Sequence, residues 1–130
     1  MDESDVGVTL QQRGWRAAFT VEERAEAWSW LVTEVEKGYH DEVDEYTSDL
    51  YCRNWLHEAW LLLDDQVVLR WTDRIRNLDN RFRAATINDD GYVLSQFHYF
   101  DDPDLWWWRR YPRILVGELG RQLRSAGATE

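Results

Sequence analysis

The chain has a single cysteine, Cys52, so no internal disulfide can staple it, and this scarcity fits a reducing compartment. It also has a single lysine, Lys37; every other cationic side chain is an arginine. No apolar run approaches the ~20 residues that a membrane-spanning helix needs. The opening MDESDVGV has acids where a secretory signal would have its positive region, and no apolar run follows. Together these absences predict a cytoplasmic protein with no membrane partner. Motifs that carry chemistry are missing as well. There is no Gly-rich phosphate loop, no nucleophile elbow and no paired-histidine metal signature. Cys52 and His57 are five apart, which misaligns them on a helix for a thiolate–imidazole pair. His57 and Glu58 are neighbours and point about 100° apart. Cys52 reads as a small buried hydrophobe. No catalytic residue, cofactor or metal is expected, so the chain is read as a non-enzyme.

Aromatics and acids are abundant. Nine Trp, six Tyr and four Phe among 130 residues let the core rest on rings more than on aliphatics. The length suits one domain, 1–130, able to bury roughly two thirds of its unfolded surface. A formal net charge of −10 repels nucleic acid and anionic membranes and attracts a basic protein partner.

Along the chain, Val6, Val8 and Leu10 alternate with Gly7 and Thr9, so a strand-like and a flexible lead both fit residues 1–18. Thr20 and Glu23 form a capping box, and Trp28, Leu31, Val32 and Val35 follow as an apolar stripe. With Gly38 as the stop, a helix is predicted from Val21 to Lys37. The next helix starts either at Ser48 or one to two turns earlier, near Asp41, and runs to about Leu63. The earlier start puts Asp41, Glu45 and Asp49 in one row, at a small repulsive cost. After Asp64-Asp65, the stripe Val68, Trp71, Ile75, Leu78 and Phe82 predicts a helix ending near Ala85 and packed antiparallel to the one before it. That hairpin buries Trp60 against Trp71, whereas Trp15, in the lead, is expected to matter little. Tyr92–Phe100 is β-prone, and Pro112 opens a last helix with the stripe Leu115, Val116, Leu119 and Leu123. The expected fold is mostly α: a bundle of about four helices, with room for a short β-hairpin between the lead and Tyr92–Phe100.

Two surfaces suggest binding. His40, Asp41, Asp44 and Glu45 lack the alternating oxygens and central Gly of an EF-hand, so metal is not the reading. The acids Asp41, Glu42, Asp44, Glu45 and Asp49 are interleaved with Tyr39, Tyr46 and Tyr51; with Tyr46 and Tyr51 as apolar anchors inside a charge-steered rim, they make an interface for a basic partner. The alternative is Trp106-Trp107-Trp108-Arg109-Arg110-Tyr111, which resembles the stacking platform of a single-stranded nucleic-acid binder. The strongly acidic chain opposes it, and one or two of those tryptophans are expected in the core.

The segments DEYTSDLYCRNWL, LDNRFRAAT and WWWRRYP resemble small acidic proteins of actinobacteria. In size and charge the chain is similar to immunity proteins of bacterial toxin systems. The resemblance implies a cytoplasmic, non-enzymatic inhibitor or antitoxin that occupies the basic active site of a toxin, often a nuclease.

Overall fold

In the computed structural model, which covers residues 1–130, the lead is helical: Glu3–Gln12 forms α1. Asp2 caps it by accepting from the backbone N–H groups of Ser4 and Asp5. The Val6–Val8–Leu10 alternation is therefore not a strand. Val6 and Leu10, four apart, are buried, while Val8 faces solvent. A Cβ on Gly7 would collide with the carbonyl of Phe19, so α1 lies directly on the backbone that leads into the next helix.

The predicted helix Val21–Lys37 is α2, with both halves of the capping box formed and the whole predicted stripe buried. Of the two starts weighed for the next helix, the earlier one forms: α3 spans Val43–Trp60. It buries Val43, Tyr46 and Leu50 along one line and Cys52, Trp55, Leu56 and Ala59 along another. A helix covered on two sides shows little amphipathic contrast, which is why its boundaries were hard to read. α4 is Asp65–Ala84, with Ile75, Leu78 and Phe82 buried as expected.

α3 touches α1, α2 and α5 (Gly117–Ser125), and α4 packs on α2. Although α3 and α4 are consecutive, they do not pack along their lengths, and the expected antiparallel pair is replaced by α2 lying between them. Trp60 and Trp71 are accordingly half-buried and do not stack. Trp71 donates its indole N–H to Glu3 of α1 at 2.6 Å. Trp15 is no bystander: it donates to Glu58 at 2.9 Å and meets the ring of Tyr51 edge-on.

The small hairpin exists, elsewhere than expected. β1 (Thr86–Asn88) pairs antiparallel with β2 (Arg110–Pro112), with Ile87 opposite Tyr111. Tyr92–Phe100 is not a strand. The Asp89 carboxylate accepts from the N–H groups of Gly91 and Val93 and winds the chain into a 3-10 turn at Leu94–Gln96. Pro112 ends β2 instead of opening a helix, and α5 starts five residues later at Gly117. Proline lacks a ladder donor but fits such an outer strand position. Trp106–Arg109 forms a second 3-10 turn, with Trp107 and Trp108 in the core and Trp106 half-buried.

Asp79 is a charged residue in this core, 8% exposed. Its Oδ1 accepts from the Trp28 indole at 3.0 Å, and both carboxylate oxygens accept from Arg53 at 2.9 Å. Asp79→Ala would leave a buried guanidinium and an indole N–H unpaired and should cost about 3–5 kcal/mol. Arg70→Ala, which breaks a more exposed pair with Glu3, should cost about 1 kcal/mol or less. Urea denaturation of both variants measures the contrast; equal midpoints would remove Asp79 from its structural role.

Candidate functional site

The acidic segment is positioned from the far end of the chain. Gly38, which stops α2, has φ 111°, and a Cβ there would come within 2.9 Å of a Val116 methyl. The Asp41 carbonyl accepts from the Leu119 N–H at 3.1 Å, and the Gln122 side chain accepts from the Val43 N–H at 2.8 Å. The Asp41 carboxylate accepts from the Glu42 N–H. α5 thus clamps the α2–α3 connection against the bundle.

The clamped connection borders a groove of about 700 Å³ lined by Trp30, Glu34, Lys37, Tyr39, His40, Asp41, Glu45 and Asp49, in which four carboxylates outnumber the one lysine. Trp30 is 53% exposed and meets Tyr39 edge-on, with centroids 6.5 Å apart. Tyr39 donates its hydroxyl to Asp49 at 2.6 Å. Burial raises the Asp49 pKa above the carboxylate norm; the Tyr39 bond opposes this, and the negative charge of Asp41 reinforces it. Burial, followed by the Asp49 bond and charge, holds the Tyr39 phenol protonated. The arginine–carboxylate pairs all lie elsewhere, and none involves Glu34, Asp41, Glu45 or Asp49.

Of the residues singled out from the sequence, Asp41, Glu45 and Asp49 converge in this groove. Glu42 and Asp44 are exposed at the start of α3 but do not line it. Tyr46 is not a surface anchor. It is 0% exposed, three residues from Val43 and four from Leu50, on the core stripe, and its hydroxyl has no hydrogen-bond partner. Tyr51 is half-buried away from the groove, its hydroxyl 2.7 Å from His98 Nε2 and its ring against Trp108 and Phe100. The aromatic members of the groove are instead Trp30 and Tyr39. Trp30 was legible, because it lies two residues from Trp28, about 200° from the buried stripe.

The Trp106–Tyr111 segment is largely consumed by the fold. The Trp107 and Trp108 indoles both donate to Asn54 Oδ1, at 2.6 and 2.8 Å. Arg110 donates to the Thr86 hydroxyl and to the carbonyls of Arg83 and Thr86, and Tyr111 donates to the Thr129 carbonyl. Cys52 is 2% exposed, and burial pushes its thiol up to about 12, which keeps it protonated. His57, Asp102 and Asp104 each bring a ligating atom within 4.8 Å of the others; the histidine is half-buried and the two aspartates are exposed. Comparison of the chain with protein-family models, curated proteins and solved structures finds no match.

The raised Asp49 pKa predicts a pH dependence. A carboxyl that resists ionisation more in the folded than in the unfolded state destabilises the fold when charged. That penalty is absent below the ordinary value of 3.8 and complete above the folded pKa. Asp49→Asn keeps an acceptor for Tyr39 and removes the charge. It should melt about 2 °C above the parent at pH 7, with the difference closing as the pH falls toward 3.8. A thermal melt at each pH checks this; a variant less stable at pH 7 would contradict it.

Proposed function

We propose that the protein binds a basic protein partner and that the groove between α2 and α3 receives an arginine or lysine side chain of that partner. The observation that carries the reading is Trp30, half-exposed at the groove beside Glu34, Asp41, Glu45 and Asp49, none of them in an ion pair. A cation lying on an indole face is stabilised by about 0.5–2 kcal/mol, and carboxylates on either side add to this. The net charge of −10 steers a basic surface toward the groove and raises the association rate. The most concrete form of the reading is an inhibitor of the immunity type, a non-enzymatic antitoxin that acts by covering the basic active site of a toxin. The half-buried pair Tyr39–Asp49 gives the groove a fixed floor, which limits the ordering that binding must impose.

A nona-arginine peptide titrated by calorimetry at low salt tests the groove. Asp41→Asn with Glu45→Gln should weaken binding by about tenfold, whereas Asp101→Asn with Asp102→Asn, which leaves the same net charge, should weaken it no more than about twofold. Trp30→Ala should lose a further factor of about three without any change in charge. Equal losses from the two charge pairs, with no effect at Trp30, would reject the groove as the binding surface. A basic partner co-purified from the native host should be lost in the same groove variants.

A further inference from the structure

On another face of α3, the connection from α1 to α2 borders a cavity of about 480 Å³ with the opposite electrostatic character. Arg13, Arg16 and Arg24 line it with the rings of Trp15, Phe19 and Tyr51, together with Ser48; no carboxylate does. Six arginines elsewhere, Arg53, Arg70, Arg74, Arg81, Arg121 and Arg124, are in ion pairs, and Arg110 and Arg113, which are not, donate to backbone carbonyls. The three cavity arginines are in none. Arg24 Nε is shut off from solvent with no acceptor at all. Burial, and then the neighbouring Arg16 charge, disfavour the charged form of Arg24; Glu23 offsets this only in part, and an anion in the cavity would offset it further.

The aromatic walls are preset. Two guanidiniums lie near the Phe19 ring, with Arg24 4.0 Å and Arg16 5.1 Å from its centroid. Trp15 and Tyr51 meet edge-on at 6.2 Å. Their polar atoms are already engaged, with Glu58 and His98 respectively, so both present rings and no free polar group to the cavity. We propose that this cavity binds a phosphomonoester whose organic part includes a planar aromatic ring. Guanidiniums match the geometry and double charge of a phosphate, and the volume exceeds what a bare phosphate fills and falls within the range of small-ligand sites. The rings would take the planar part of the ligand. The acidic groove uses other residues, so either site can fail without the other.

Phenyl phosphate and adenosine monophosphate are the probes, with phenol, adenosine and inorganic phosphate as controls, read by calorimetry and thermal shift on the full chain. Both esters should bind and raise the melting temperature. Phenol and adenosine should do neither, and inorganic phosphate should bind at least about tenfold more weakly than the esters. Arg16→Gln and Arg13→Gln, at exposed positions that leave the core intact, should each weaken the esters by about tenfold. Arg76→Gln, which removes an exposed arginine outside the cavity, should leave binding unchanged. The proposal is overturned if neither ester binds or if Arg16→Gln binds them as the parent does. Inorganic phosphate matching the esters would overturn the aromatic part of the ligand.

Discussion

A buried carboxylate fixes how the helices meet. Asp79 on α4 accepts hydrogen bonds from Trp28 on α2 and Arg53 on α3, and the Arg53 guanidinium lies 4.6 Å from the centre of the Trp107 ring. Four segments distant in sequence therefore converge on one ion pair. Apolar packing tolerates sliding, but a charge taken out of water does not, because any register that separates Asp79 from Arg53 leaves both desolvated and unpaired. α3 and α4 barely pack on each other, yet through this pair each fixes where the other lies along α2. The aromatic turn at Trp106–Arg109 is held the same way, by two indoles that share the side-chain oxygen Oδ1 of Asn54. Polar atoms specify the arrangement of a core built mostly of rings.

What could be read from the sequence was what local physics decides. The Thr20–Glu23 capping box and the stripe after it located α2 to the residue, since cap and period agree. α4 was legible because its charged and apolar faces are well separated. α3 was harder: it is covered on two sides, so its pattern lacks the contrast that marks a surface helix. The C-terminal half was largely opaque. Trp107 and Trp108 are held by Asn54, more than fifty residues earlier, and no period in YVLSQFHYF announces an Asp89 carboxylate that bends the chain. Tyr46 misled by its neighbours: it lies among acids in sequence, while helical spacing from Val43 and to Leu50 places it inside.

The surface of α3 carries two electrostatic environments within about two helical turns. Glu45 and Asp49 face a groove rich in carboxylates, and Ser48 and Tyr51 face a cavity rich in guanidiniums. Successive residues on a helix diverge by about 100°, so neighbours in sequence can serve opposite fields. The strongly negative formal charge conceals this division. Averaged over the chain, the arginines count only as partial compensation for the acids; in space, three of them line one cavity without an ion pair.

The dependence of the acidic groove on α5 has a consequence for the order in which the protein comes into being. A chain made from its N-terminus exposes Trp30, Tyr39, Asp41 and Asp49 to the folding compartment well before Val116, Leu119 and Gln122 are available. α2 and α3 are both complete during that interval, and Asp79, which joins Trp28 to Arg53, follows within α4. The connection between them lacks its clamp, however: the Asp41 carbonyl and the Val43 N–H still await the partners that hold them. The groove is therefore among the last features to be set, although all the residues that line it are made in the first half of synthesis. A nascent chain would carry the groove's charge before it carried its shape.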